Sequence, residues 1–564
     1  MELDYEGQEI VSSFYCSLDI DGSGDQLKGK VQRFDDLESS NSKLQISFSK
    51  GSILILKLKQ TSLGKNLNLG FPLTKVSTSG LNILIYRSDP EEQDNIRGGC
   101  YNVPGIGKLP YAGIAGFWWI ISRLGQRPDF AECLERHLQE GDWAIDYIVD
   151  RLAMYADSSL EDLVTHLSDI RKAYKELPKW RKAAEFTKFI EKLFKESQAE
   201  ALSRLSPIQF SFARQLALGS YQLIGKVQST GLYPTSNDAC MSAGLPHFAT
   251  NHMRYWGRDI FIALPGLLLC TGRFDDAKRH LLAFASCYYK GLIPNLLDGG
   301  RRPRFNSRDA VWFFLDALRK YCQVVDEAIL DCLVPLRFPN DVYVDFDDPA
   351  IYSRSVPLRQ LVQSIMTNHA NGIHFREWNA GPSLDPMMQE RGFDIDIQLD
   401  RETGFVMGGN AFNCGTWMDK MGESSLAGNR GIPATPRDGA PIELVALLSS
   451  TLTWLTGGRV TGSGGVQLGT EHLSYEEWNA RIKANFEQRF FVSESDGAYY
   501  KDTSGSSVEQ SDLQLRPNYL VAMSSVSLSQ VLLCSALPCL TRIMPKLPYR
   551  LRTSCSGGLW ECER

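Results

Sequence analysis

Between residues 231 and 523, runs of helical periodicity alternate with long loops rich in Trp, Arg, Asp, Glu, Asn and Gly. No other feature constrains the fold of this chain as much. A helix with one apolar stripe must bury it against another element. Successive runs of this kind therefore pack as helical hairpins and leave their loops free for chemistry. Asp276 starts one such helix and Gly291 ends it. Ser307 is placed to cap a helix carrying Ala310 to Tyr321, and Asp438 to cap one from Pro441 to Leu455. Ser474-Tyr-Glu-Glu477 reads as a capping box. Helical hairpins joined by such loops suggest an α/α toroid. Periodicity alone equally allows an α-solenoid, although no internal repeat favours one.

The flanks read differently. Residues 1–75 carry β-rich runs, Leu44 to Phe48 and Ile53 to Leu58, with a turn at Gly51-Ser52. A piece this small makes no stable sheet alone, so it reads as the remnant of a preceding domain. Residues 76–230 form a helical middle region. There Ser159-Leu-Glu-Asp162 resembles a capping-box start, and Phe186, Phe189, Ile190, Leu193 and Phe194 have the spacing of one helix face.

Composition excludes several classes. Apolar residues make up 43% of the 564 and charged ones 22%, enough for sizeable cores. The net charge is −6 and no long basic run occurs, so a nucleic-acid surface has no support. The start, MELDYEGQEI, lacks the apolar core of a signal peptide. The most apolar stretch, Phe261 to Cys270, is too short to span a bilayer and contains Pro265. A cytoplasmic protein without a membrane partner is expected. Nine of the thirteen cysteines are scattered singly over residues 16–414, some in apolar runs such as Leu267 to Cys270. That pattern predicts buried free thiols rather than a disulfide framework. The remaining four, Cys534, Cys539, Cys555 and Cys562, crowd into the last 31 residues.

Four loops concentrate the residue types of a sugar site. Flat aromatic faces pack on the apolar faces of a pyranose, and forked or paired polar groups bind its hydroxyls. The first is Tyr255-Trp-Gly-Arg-Asp259, where Trp256 can stack and Arg258 and Asp259 can each hold vicinal hydroxyls. A surface ion pair before a core helix is the plain alternative. The second, Arg304-Phe-Asn-Ser-Arg-Asp309, repeats the Arg-Asp pair at a helix start. There Asp309 would also suit the helix dipole. The third is Phe375-Arg-Glu-Trp-Asn-Ala-Gly381, with Glu377, Trp378 and Asn379 in a row. In the fourth, residues 408–422, Gly408, Gly409 and Gly415 permit tight turns from which Trp417 and Asp419 can project. A carboxyl beside an aromatic in a partly dry cleft suits a general acid. An ion pair with Lys420 would explain Asp419 alone, but not the Gly, Asn and Trp around it. Glu443, downstream, reads as a dipole-compatible or substrate-orienting residue. No Gly-rich phosphate loop follows a strand, no Gly-x-Ser-x-Gly elbow occurs, and the eight histidines lack metal-ligand spacing. No cofactor and no metal are expected.

Ala243-Gly-Leu-Pro-His-Phe248, Trp256-Gly-Arg-Asp259, Gly291-Leu-Ile-Pro-Asn-Leu296, Arg308-Asp-Ala-Val-Trp312, the Glu377 to Pro382 segment and the Phe412 to Ser424 segment resemble, in this order, the glycogen debranching enzyme family. Arg430 to Gly439 extends the resemblance, as do Gly98-Gly-Cys-Tyr101 and Tyr111-Ala-Gly113 upstream. It covers about residue 40 to about residue 523. It implies a mainly α fold: an (α/α)6 toroid of the six-hairpin glycosidase type over 231–523, with the strand-rich piece and the helical region before it. It implies hydrolysis of the single α-1,6-linked glucose at a branch point of glycogen or a limit dextrin. A glucoamylase-like six-hairpin glycosidase is the other reading of the same hairpins. Under the resemblance Asp419 is the general acid. Trp256, Arg258, Asp259, Asn306, Arg308 and Asp309 contact the terminal glucose, and Glu377, Trp378, Asn379, Trp417 and Glu443 line the pocket. The family's 4-α-glucanotransferase barrel is not expected in this chain. The family's base is expected in a Gln-Gly-Pro-Glu-Trp-type segment near the C-terminus, and this sequence contains none. Residues 524–564, rich in Cys, Ser, Leu, Pro and Arg, read as a tail outside the family. The expectation is therefore a chain with the acid half of the machinery, or a non-catalytic glycogen-binding fragment.

Overall fold

A computed structural model of the chain describes residues 70–86, 113–119, 121–122, 143–153, 158–177, 179–226, 254–298, 302–345, 347–494 and 497–524, with short strands at 19–21, 26–32, 43–49, 101–103, 107–109 and 239–241. The strand expected at Ile53 to Leu58, the Gly51-Ser52 turn, the Ala243 to Phe248 segment, Gly98 to Cys100 and the tail beyond Ser524 lie outside the described residues. Backbone contacts group the chain into two units, Met1–Gly225 with Phe248–Thr250, and Lys226–His247 with Asn251–Arg564.

In the first unit, Asp19–Asp21, Gln26–Gln32 and Lys43–Ser49 form an antiparallel three-stranded sheet with the central strand second in sequence. The rest of the unit is helical. Thr78–Ile85 is capped by Ser77, whose hydroxyl accepts from the Gly80 N–H at 2.9 Å. The helix with the apolar face, Lys179–Ser203, buries Phe186, Phe189, Ile190 and Leu193, as the spacing predicts. Phe194 is half-buried and stacks on Trp118. Each fully buried side chain of this kind is worth about 1.5–3 kcal/mol. One cap is corrected. The helix Ser158–Lys175 already includes Ser159, and the Ser159 hydroxyl instead accepts from the Ser77 N–H at 3.0 Å. It ties two helices together rather than starting one.

The second unit is also mainly helical, with small hairpin sheets between the helices. Gly257–Leu264 packs on Ala310–Val324, which packs on Ile442–Leu455, which in turn packs on Tyr475–Phe490 and Asn518–Met523. Phe274–Ser286 and Leu358–Asn371 complete the described helices of three or more turns. Ile442–Leu455 buries twelve of its fourteen residues and so has no solvent face. Two of its polar members find partners inside. The Ser449 hydroxyl donates to Asn479 at 2.7 Å, and that of Thr451 to the Leu447 carbonyl at 2.9 Å. Gly257–Leu264 continues into a π-helical turn at Pro265–Leu269, where a proline that cannot donate enters the helix.

The helix starts differ from the sequence reading in an informative way. Ser474 caps Tyr475–Phe490 as expected, accepting from the Glu477 N–H at 3.1 Å. Ser307 and Asp438 cap nothing. Ser307 accepts from Arg258, and Asp438 accepts from the Ser507 N–H. Their side chains serve contacts between distant loops instead. The helix expected from Asp276 to Gly291 runs from Phe274 to Ser286, and Gly291 lies beyond it at φ +91°. Among the described residues five cysteines are free. Cys287, Cys322 and Cys414 are buried, whereas Cys270 is exposed, against the expectation from its apolar run.

Candidate active site

Three of the sequence segments are stitched into one antiparallel sheet. Arg254–Trp256, Leu296–Asp298 and Arg302–Arg304 lie side by side, with Trp256 opposite Leu296 and Leu296 opposite Arg304. Asn295, just before the central strand, caps the helix Gly257–Leu264 that follows the first strand. Its carbonyl accepts from Gly257 at 2.6 Å and its Oδ1 from the Arg258 N–H at 3.1 Å. Gly257 has to be glycine, because a Cβ there would meet the Pro294 carbonyl oxygen at 2.6 Å and Phe284 at 2.8 Å. This packing aims Arg258 across the unit.

Arg258 is buried and every nitrogen of its guanidinium is engaged. Nε lies 2.9 Å from Asp309 Oδ2, Nη1 donates to Asp419 Oδ2 at 3.2 Å, and Nη2 donates to the Ser307 hydroxyl at 2.6 Å. Burial opposes the arginine's charge, but Asp309 and Asp419 outweigh it and raise its pKa above the ordinary value. The alternative of a surface ion pair is therefore excluded for Arg258. Asp309 has no exposed surface at all. Asp259, on the next position of the helix, is half-buried. Burial pushes its carboxyl up, Arg258 opposes this, and the charge of Asp419 adds to it. Asp419 keeps 24% of its side chain exposed and also accepts from Lys420 Nζ at 3.1 Å. The Lys420 pair thus exists alongside the Arg258 contact. Asp259, Asp309 and Asp419 are gathered around one guanidinium.

Glu377 joins the same loop from another sheet. Ile373–Arg376, Asp394–Leu399 and Val406–Gly408 pair antiparallel, and the chain leaves the first strand at Glu377. Its Oε1 accepts from Arg304 Nε at 3.0 Å and from the Phe305 N–H at 2.8 Å, and its Oε2 accepts from Arg304 Nη2 at 3.3 Å. Both oxygens are committed to protein. Trp378 is different. Its indole stacks on Tyr343 at 4.0 Å and 14°, and 45% of it stays exposed. Asn379 is exposed and sits at φ +58°. Asn306 and Trp256 are half-buried.

The fourth loop is built on a second pair of buried arginines. The Arg308 N–H donates to the Gly415 carbonyl at 3.0 Å, and its Nη2 donates to the Arg437 carbonyl at 2.5 Å. Burial lowers Arg308 to about 10. Its guanidinium lies where side chains of Gly409 and Gly415 would be, so those glycines are required by the arginine rather than by turn geometry alone. Arg437 is wholly buried at φ +45°. Its Nη1 and Nη2 donate to the two oxygens of Glu443 at 2.5 and 2.6 Å, and its Nε donates to Asp502 at 2.7 Å. Burial opposes its charge, and Glu443 and Asp502 more than offset that. Glu443 therefore faces inward and holds Arg437. Sequence reasoning did not single out Arg304, Arg437, Asp502 or Asn518, and it gave Ser307 a helix cap rather than a place in the site. Arg304 and Ser307 stand inside the second motif loop and Arg437 inside the Arg430 to Gly439 segment, so proximity to a motif was their only signal. Asp502 had none.

Among the described residues no group of three or more His, Cys, Asp or Glu is placed to hold a metal ion, and no helix is long and apolar enough to cross a membrane. Residues 218–552 match the family described as amylo-alpha-1,6-glucosidase, and residues 10–152 match the central domain of human glycogen debranching enzyme. The first match runs past Ser524, where the sequence reading ended the family-like stretch. The glycogen debranching enzyme of Saccharomyces cerevisiae is 39% identical, over 88% of this chain and 35% of its own length. The chain thus spans about a third of that relative. It belongs to the glycogen debranching enzyme family, with residues 218–552 as its amylo-alpha-1,6-glucosidase region.

Proposed function

We propose that the second unit is an (α/α)6 toroid of the six-hairpin type, and that it hydrolyses the single α-1,6-linked glucose at glycogen branch points. Asp419 carries the reading. It is a partly exposed carboxylate bonded to Arg258, two residues along the chain from the exposed Trp417. In this reading it protonates the glycosidic oxygen as the bond to the glucose C1 breaks. Trp256, Trp378 and Trp417 offer faces to sugar rings. Asp259, Asn306 and Asn379 are open enough to meet hydroxyls. Arg258, Arg308, Asp309, Glu377 and Glu443, all buried, hold the loops in place. Inversion also needs a second carboxylate about 6.5–9.5 Å from the acid. Glu377 and Glu443 do not suit that part, because arginines occupy their oxygens.

The test is glucose release from a branched limit dextrin by the chain and by its Asp419→Asn variant. The reading expects release by the first and a fall of at least about 100-fold in the second. Equal rates would remove Asp419 from the acid's role. A cooperatively melting chain that binds the dextrin but releases no glucose would favour a non-catalytic glycogen-binding role.

A further inference from the structure

The three residues that lead into Asp419 are each held by one buried polar network that the reaction itself does not use. Thr416 Oγ1 accepts from Arg437 Nη1 at 3.2 Å. Trp417 Nε1 donates to Asn518 Oδ1 at 3.0 Å. Met418 Sδ receives Arg516 Nη1 at 3.5 Å and Asn518 Nδ2 at 3.6 Å. Asn518 is central to this arrangement and is buried to 1% exposure, whereas Trp417 keeps 40% of its surface open.

The amide of Asn518 has only one workable orientation. Its Nδ2 donates to Asp502 Oδ1 at 2.6 Å. A carboxylate only accepts and an indole N–H only donates. Flipping the amide would set oxygen against carboxylate and N–H against N–H, and would lose both bonds. Asp502 cannot turn away to relieve this, because Arg437 Nε and Nη2 hold its two oxygens at 2.7 and 3.0 Å and Arg516 Nε lies 3.3 Å off. Arg437 is in turn fixed by Glu443. The chain of constraint runs from Glu443 through Arg437 and Asp502 to the amide, and ends on the edge of the indole.

We propose that Asn518 is a positioning residue: it sets the plane of the Trp417 indole, so that its exposed face stands ready as a wall for a glucose ring beside Asp419. Asn518 touches no substrate and acts through Trp417. The functional half rests on the glucosidase reading above. The positioning half does not.

The experiment therefore reads both. Asn518→Leu keeps the bulk and removes both hydrogen bonds, and Trp417→Phe removes the N–H and keeps an aromatic face. In the 5-fluorotryptophan-labelled chain, the Trp417 fluorine signal is identified by its loss in Trp417→Phe. It should shift and change width in Asn518→Leu while the other tryptophan signals stay. An unchanged Trp417 signal overturns the proposal whether or not the chain is active. In limit-dextrin hydrolysis, Asn518→Leu should raise KM by about tenfold, the scale of one lost hydrogen bond at a binding wall, with a smaller change in kcat. Adding it to Trp417→Phe should then cost nothing further. Additive effects would show that Asn518 acts elsewhere. Should Asn518→Leu fail to fold, Trp417→Phe breaks the same bond from the exposed side, and an unchanged KM there overturns the proposal. A chain that releases no glucose sinks the enzymatic reading alone, and the fluorine signal still decides the positioning.

Discussion

Arg258 Nη1 lies 3.2 Å from Asp419 Oδ2, across 161 residues of sequence, and the same guanidinium holds the fully buried Asp309. Removing the cation should therefore do two separable things. Arg258→Met leaves Asp309 buried without a partner and should cost about 3–5 kcal/mol, read from the urea midpoint. Adding Asp309→Asn removes the stranded charge and should recover part of that stability. It cannot restore the hold on Asp419, so glucose release should stay low. Parallel recovery of both would mean that Arg258 matters for folding only.

Gly415 and Gly409 lie against the Arg308 guanidinium. A methyl group at Gly415 has nowhere to go, because the arginine is itself fixed by the Arg437 carbonyl. Gly415→Ala should destabilise the chain by about 1–3 kcal/mol, the usual cost of overpacking a filled interior. Gly428, with open space around its Cβ position, is a control for crowding, with only the strain of its φ of +64° to count. A loss at Gly415 no larger than that at Gly428 would show that crowding by Arg308 is not the cause.

Trp378 rests on Tyr343 and leaves its outer side to solvent. Trp378→Ala should leave the melting temperature nearly unchanged and weaken limit-dextrin binding by about 3–10-fold, the scale of one aromatic stack. Tyr343→Ala should weaken binding as well, by letting the indole turn. Titration calorimetry on both variants checks this, and unchanged affinity in Trp378→Ala would remove it from the sugar site.

His369 is buried against Trp312 at 4.7 Å, and burial lowers its pKa from 6.5 to about 4. The unfolded imidazole therefore takes up a proton near pH 6.5 that the folded one refuses until about pH 4. Between these values the unfolded state binds more protons, so stability falls as the pH falls. The full loss is roughly 3 kcal/mol, complete near the folded pKa. Urea midpoints taken between about pH 7 and pH 4 should show this slope, and His369→Gln should flatten it. The same slope in the variant would assign it to other groups.

The apolar spacing of Phe186 to Leu193 and the capping box at Ser474 could be read locally, because helix faces and caps depend on residues three or four apart. The polar side chains were harder. Ser159, Ser307 and Asp438 carry cap-forming groups in cap-like places, yet each bonds to a residue from another part of the chain. A hydroxyl or carboxylate near a helix start satisfies local or distant donors equally well, and only packing brings the distant donor within reach. The small hairpin sheets were missed for a similar reason. Strands of three or four residues, such as Leu296–Asp298, carry too few positions to show a period.

By itself, the sequence determined the family, the mainly helical build and which loops hold the chemistry-bearing residues, since those depend on residue types in order. Only the tertiary structure decided how those residues are divided. Charges deep inside must be paired, because an unpartnered buried charge is too costly to keep. Arg258 with Asp309, Arg304 with Glu377 and Arg437 with Glu443 meet that requirement and hold the loops. Asp419, Trp417 and Trp378 remain open to solvent. Two residues with the same side chain, Asp309 and Asp419, thus differ in what they can do because one is sealed by packing and the other is not.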